Sequence, residues 1–166
     1  MSTTEATAPS GKVFDRQFEL MTLELNLINN EIRSLDEITR NVKQWAIVAW
    51  TGALGVALGN PALKPALWAT AFLPLSFWLV DASFRRIQRT FIVRAQDIAD
   101  YVNSPAFLTS ASAQTPMAFH LLEMRNEQGF KTDWMSVMRF RTVATLYLLM
   151  VVGSLGMGLL IRLGKM

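Results

Sequence analysis

The side chains of this sequence that could carry out acid–base or metal chemistry are few and scattered. His120 is the single histidine and cysteine is absent, so the usual ligands of a zinc site are missing. Asp97 and Asp100 stand three residues apart on one predicted helix, a spacing that is common on solvated helix faces. The sequence contains no glycine-rich phosphate loop, HExxH motif or nucleophile elbow. It therefore predicts a protein that is not an enzyme and has no catalytic residue, cofactor, metal or small-molecule substrate.

One acidic residue is notable because it follows an uncharged run. Asp81 comes directly after the apolar segment 66–80, and an acid at a membrane boundary is costly unless it is paired. Arg85 lies one helical turn later and can pair with Asp81 on the same helix face. Two interpretations stay open. Asp81 and Arg85 either form an ion pair on one helix, or they make a polar contact between helices or a gate.

The apolar residues occur in blocks, which is typical of an α-helical membrane protein. Half of the 166 residues are hydrophobic (51%) and only 17% are charged, whereas about 25% is usual for a soluble domain. Thr142–Ile161 is uncharged and has the length of one membrane-crossing helix. Trp45–Gly59 and Ala66–Val80 are shorter uncharged runs, which predict a membrane hairpin with Pro74 as a kink. A re-entrant hairpin is the alternative.

The amino-terminal region has the spacing of a coiled coil. Apolar residues alternate at intervals of four and three, and the residues that form this seam include Phe14, Phe18, Met21, Leu25, Ile28, Ile32 and Leu35. Leu20, Leu23 and Leu27 widen the apolar face, which favours a bundle over a two-stranded coil. The seam either packs on the protein's own helix after the second span or joins subunits.

The predicted fold class is all-α, with three transmembrane helices and a cytoplasmic helical bundle. The predicted segments are a disordered tail (1–11), the amphipathic heptad helix (12–44), the transmembrane hairpin (45–80), a cytoplasmic helix continuing the second span (81–103), a cytoplasmic loop with a short helix at 117–128 (104–133), and a helix containing the third span (134–162).

Small residues inside the apolar runs indicate close helix packing in the membrane, within one chain or between chains. The residues concerned are Gly52, Gly55 and Gly59 in the first run and Gly153 and Gly156 in the last.

Charge placement predicts the topology. Lysine and arginine cluster before the first run, after the second and before the third, whereas the hairpin turn has only Lys64. Because such residues prefer the cytoplasm, the amino terminus and the central region are predicted to lie there, with the carboxyl terminus outside. The pI of about 9.6 therefore reflects membrane-flanking charge, and nucleic-acid binding is not expected.

Short motifs add a family resemblance. They are Lys43-Gln-Trp45-Ala-Ile-Val, Phe77-Trp78-Leu-Val-Asp81-Ala with the arginine-rich helix after it, and Trp134, Val137 and Tyr147 leading into the last run. The chain thereby resembles a family of small bacterial integral membrane proteins, similar in layout to two-span membrane effectors of antiviral defence systems.

The resemblance implies oligomerisation in the bacterial inner membrane as the way of acting. The expected function is therefore a self-assembling membrane effector or pore-like protein, whose partners are the lipid bilayer, further copies of itself and a possible second protein. The alternative is a non-catalytic anchor or accessory subunit of a larger membrane complex.

Overall fold

The structure, a computed structural model, describes residues 9–121 and 141–164, and all regular secondary structure in these ranges is helical. The elements are α1 (Pro9–Gly59), a 3₁₀ helix (Lys64–Ala71), α2 (Phe72–Val102), α3 (Pro105–Ala113) and α4 (Arg141–Arg162). The all-α prediction is confirmed for this part of the chain.

Helix α1 is longer than either segment predicted for it. Its 51 residues contain both the heptad helix and the first apolar run without a break. It begins at Pro9, inside the segment predicted as a tail, while residues 1–8 lie outside the described ranges. The predicted boundary between the heptad helix and the first apolar run, at residue 44, therefore lies inside one continuous helix, where the sequence changes from charged to apolar.

Prolines determine how the chain turns between α1 and α2. Helix α1 ends at Gly59. The Asn60 side-chain oxygen then accepts a hydrogen bond from the Ala62 backbone N–H at 3.0 Å, as asparagine does in tight turns. Pro74 lies in the first turn of α2, shortly after the 3₁₀ helix, so the residue predicted as a kink stands where the chain passes from a 3₁₀ helix to an α-helix. Because Pro74 has no N–H, the Thr70 carbonyl cannot accept an α-helical hydrogen bond from it.

The region after α2 differs from the prediction. Ser104 caps α3 by accepting a hydrogen bond from the Phe107 N–H, and Pro105 occupies the first turn. The predicted loop is therefore wrong at 105–113, since helix-capping residues there start a new helix. The predicted helix at 117–128 is also wrong in its described part: residues 117–121 are not helical, and 122–128 lie outside the described ranges.

Two helical stretches, Lys64–Val102 and Ala144–Arg162, are long and apolar enough to cross a membrane. Only 33% and 17% of their most apolar windows are buried inside the chain, so most of these side chains face outward. A core helix of a soluble protein would be mostly buried, and large exposed apolar areas mark membrane or protein contacts. The structure thus supports membrane association. The first predicted crossing, Trp45–Gly59, is not one of these stretches and stays a prediction.

The chain divides into two compact units, which are described separately. Among the described residues, unit 1 comprises 9–33 and 88–121, and unit 2 comprises 34–87 and 141–164. The core of unit 1 contains Phe14, Met21, Ile28, Ile98 and Met117. Unit 2 has two clusters, one formed by Ala46, Tyr147 and Met150 and the other by Leu54, Ala57 and Leu67.

Candidate functional site

Three helices of unit 2 meet at the fully buried carboxylate of Asp81. Lys43 of α1 places its Nζ 3.8 Å from Asp81 Oδ2, and Arg85 of α2 places its Nε 3.9 Å from Asp81 Oδ1. The Tyr147 hydroxyl of α4 donates to Asp81 Oδ2 across 3.4 Å. The Arg85 guanidinium also lies 3.8 Å from Asp36. We call Lys43, Asp81, Arg85 and Tyr147 the boundary cluster.

The boundary cluster shares one acid between two cations. Its distances of 3.4–3.9 Å are longer than the 2.7–2.9 Å of a tight charge-assisted hydrogen bond. A buried carboxylate without compensating charge would be strongly destabilising, so Lys43 and Arg85 together make its burial tolerable. Because these contacts join side chains of α1, α2 and α4, the arrangement is suited to holding the three helices together.

The sequence predicted the Asp81–Arg85 contact but missed the other two members of the boundary cluster. Lys43 stands just before the first uncharged run and Tyr147 is the one tyrosine of the last. Those positions were the evidence in the sequence for the missing contacts. A cation beside one apolar run and a phenol near the start of another can reach an acid at the end of a third. Spacing alone does not say which ends meet.

A second polar contact joins three elements inside the apolar part of unit 2. The Trp50 indole N–H of α1 donates to Ser154 Oγ of α4 at 2.8 Å. Thr70 of the 3₁₀ helix lies with its hydroxyl 3.0 Å from the same Ser154 oxygen. Ser154 and Thr70 are both buried. Such hydrogen bonds satisfy polar groups that lipid could not. We call these residues the Ser154 node, which sequence reasoning did not find.

The glycines divide into packed and open positions. A Cβ added at Gly153 would lie 3.5 Å from the Trp50 ring. At Gly52, Gly55, Gly59 and Gly156 a Cβ would meet nothing within 4 Å. Among the described residues, the open glycines therefore have room beside their Cα atoms, and their role in helix packing stays a prediction.

In unit 1 the seam residues are unequal. Phe14, Met21 and Ile28, spaced by seven, are buried against Ile98 of α2, and Ile32 packs beside them. Phe18 is exposed and Leu25 is half-buried, and in unit 2 the seam residue Leu35 is buried. The buried members of the seam in unit 1 thus pack within the same chain, against Ile98 of α2, Phe107 of α3 and Met117.

Unit 1 also buries an ion pair that the sequence did not reveal. Glu24, which falls off the seam, is fully buried and accepts a 2.7 Å hydrogen bond from Arg94 Nε. Arg94 donates a second bond to the His120 carbonyl at 2.7 Å and lies over the Phe119 ring. The pair therefore connects α1, α2 and the segment 117–121. A glutamate three residues after Met21 and four before Ile28 shares their helix face, which was the signal available.

An apolar stripe remains exposed on α1 of unit 1. Val13, Leu23 and Leu27 are 43%, 54% and 47% exposed, with the half-buried Leu20 between them. Their spacing of seven and of three or four puts them on one side of the helix. We call these four residues the α1 stripe. Leucines in such a row are typical of a surface that another helix covers.

The other residues considered for chemistry form no site in the described ranges. The His120 side chain, Asp97 and Asp100 are exposed. No group of three or more His, Asp or Glu side chains in residues 9–121 and 141–164 could hold a metal ion. Comparison of the chain with protein-family models, curated proteins and solved structures finds no match. Function is therefore inferred from the geometry.

Proposed function

We propose that this chain is a self-assembling membrane protein, an effector or pore-like protein that acts through oligomerisation in the bacterial inner membrane. The observation that carries the proposal is the α1 stripe. Unit 1 already has a closed core of its own, yet it leaves Leu23 and Leu27 about half exposed. Fully burying a leucine stabilises a protein by roughly 1.5–3 kcal/mol, so pairing these side chains between chains favours association.

Two features of unit 2 support the same proposal. Its outward-facing apolar helices suit lipid, as Leu149 and Val152 illustrate with exposures of 69% and 65%. The open glycines at 52, 55 and 59 allow the backbone of another helix to approach closely. In this proposal the amino terminus and central region are cytoplasmic and the carboxyl terminus is outside, following the lysine and arginine distribution. A role in antiviral defence follows from the resemblance alone.

The experiment compares two variants that add the same charge to α1. Leu23→Asp with Leu27→Asp places carboxylates in the α1 stripe, whereas Asn26→Asp with Asn29→Asp places them at exposed polar positions of the same helix. Leu23 and Leu27 are preferred to Ile28, since Ile28 is fully buried and its replacement would unfold unit 1. The readouts are native mass in nanodiscs and growth of expressing cells.

We expect several chains per particle for the wild type and the asparagine variant, and single chains without growth inhibition for the leucine variant. Assemblies that persist in the leucine variant would contradict the role of the stripe. Growth inhibition by a fully dissociated protein would contradict action through oligomerisation.

A second candidate function is a non-catalytic membrane anchor or accessory subunit. The observation that favours it is the Ser154 node, because hydrogen bonds among Trp50, Thr70 and Ser154 join α1, the 3₁₀ helix and α4 within one chain. An anchor would appear in the same native mass experiment as one chain bound stoichiometrically to a different protein, and the leucine variant would release that protein.

A further inference from the structure

A groove opens at the end of unit 2 where the 3₁₀ helix packs against the last turns of α4. Pro65 and Trp68 form one wall, and Gly158, Ile161 and Arg162 form the other. The space measures about 450 Å³, within the range of pockets that hold small ligands. The groove combines apolar walls with one guanidinium.

Gly158 lets α4 approach the 3₁₀ helix closely beside the groove. A Cβ at this position would lie 3.3 Å from the Trp68 backbone nitrogen and 3.3 Å from its Cβ. That is tighter than ordinary van der Waals contact, so a larger side chain would separate the elements or fill the groove. Gly156, two residues earlier on α4, faces open space and provides a matched position.

The charged residues that line or directly flank the groove in the described part of the chain are both basic. Arg162 lines it, and Lys64 immediately precedes the wall residue Pro65. No aspartate or glutamate occurs between residues 42 and 80 or after residue 142, so neither sequence segment that forms the groove has an acid to neutralise these cations. An anion is therefore the complementary ligand. Guanidinium groups bind phosphate through two parallel hydrogen bonds.

The apolar part of the groove indicates what the anion is attached to. Trp68 is half exposed and makes an edge contact with Phe72, whose ring is also exposed. Tryptophan rings prefer the boundary between lipid headgroups and hydrocarbon. A free phosphate would use Arg162 and leave these rings in water, whereas a phospholipid would cover both.

We propose that this groove binds one anionic phospholipid, with its phosphate on Arg162 and its acyl chains along Trp68 and Ile161. The inference rests on the membrane-embedded state in the proposed function, but not on self-assembly. The lipid would tie the 3₁₀ helix to α4 at this end of the unit.

The test uses the full chain in detergent and native mass spectrometry. The probes are dioctanoyl phosphatidylglycerol, the phosphatidylcholine of the same chain length, and inorganic phosphate as a competitor. We expect phosphatidylglycerol to bind roughly tenfold more tightly than phosphatidylcholine, because both lipids have a phosphate but the choline ammonium of phosphatidylcholine is repelled by Arg162 and Lys64. Arg162→Gln should remove that preference, and Gly158→Leu should abolish retention of both lipids. Arg16→Gln, at an exposed arginine of unit 1, and Gly156→Leu are the controls.

The outcomes separate the alternatives. Equal affinity for the two lipids, or an unchanged preference in Arg162→Gln, would overturn the proposal. Full displacement of phosphatidylglycerol by millimolar inorganic phosphate would show a phosphate site and overturn the lipid as occupant. Arg162 is exposed, so its variant remains informative if Gly158→Leu fails to fold. Lipids per chain and chains per particle are read separately, so loss of one does not imply loss of the other.

Discussion

The two units stabilise a buried carboxylate in different ways. Each buries one carboxylate completely, Glu24 in unit 1 and Asp81 in unit 2. Glu24 has a close arginine at 2.7 Å, whereas Asp81 has two cations at 3.8 and 3.9 Å and a phenol at 3.4 Å. The comparison of these distances shows that a fully buried acid need not have a cation within hydrogen-bonding distance. Glu24 makes one close contact with Arg94, whereas two cations stand at longer distances from Asp81.

The largest effect is expected in unit 1 from Arg94→Met. This change leaves Glu24 buried without its arginine, and breaking a buried pair costs roughly 3–5 kcal/mol. Hydrogen exchange of residues 14–33 and 88–102, followed by mass spectrometry, should therefore accelerate by about two to four orders of magnitude. The double variant Glu24→Leu with Arg94→Met should regain most of the protection, since apolar replacements of buried pairs are often neutral.

Arg89→Met is the control for this prediction, because Arg89 is an exposed arginine on the same helix and in the same unit. Protection that is equal in the Arg94 and Arg89 variants would show that the pair is not needed for the stability of unit 1, and the contrast with unit 2 would disappear.

A smaller effect is expected in unit 2 from Lys43→Met. Arg85 remains beside Asp81 in this variant, so the loss should be about 1 kcal/mol, close to the worth of a weak ion pair. For a chain of this size that corresponds to a decrease of roughly 2–4 °C in the melting temperature, measured by tryptophan fluorescence in detergent. Lys12→Met, at an exposed lysine of unit 1, should leave the melting temperature unchanged. A loss of stability as large as the roughly 3–5 kcal/mol expected for Arg94→Met would refute the redundancy.

The smallest effect is expected at the Ser154 node. Thr70→Val keeps the shape of the side chain and removes its hydroxyl from Ser154, and hydrogen bonds between membrane helices contribute about 0.6 kcal/mol on average. The melting temperature of the variant should fall by about 1–2 °C. Thr51→Val, at an exposed threonine of α1, serves as the matched change. Equal melting temperatures for the two variants would mean that the node contributes nothing to stability.

Much of the fold could be predicted because its signals are local. The uncharged run Thr142–Ile161 became α4 with ends one residue away on each side, since hydropathy and length alone define such a helix. The loop at 105–113 was predicted from its serine, alanine and threonine content. Ser104 and Pro105 together are equally a helix start, and here the cap decided the outcome.

Pairing across the chain could not be predicted in the same way. The heptad spacing shows that one side of α1 is apolar, but not that Phe14, Met21 and Ile28 are covered by the rest of unit 1 while Leu23 and Leu27 stay exposed. Both rows satisfy the same helical period, and only the position of the second helix distinguishes them.

The sequence by itself determined that the chain is helical, where its apolar blocks lie and that an acid stands at the end of one of them. These properties depend on residues within a few turns of one another. The tertiary structure alone decided that Glu24 meets Arg94, 70 residues away, and that Lys43 and Tyr147 both reach Asp81. The physical reason is that a charge is stabilised by whichever opposite charge the fold brings within a few ångströms, and that distance is not contained in the spacing of residues along one helix.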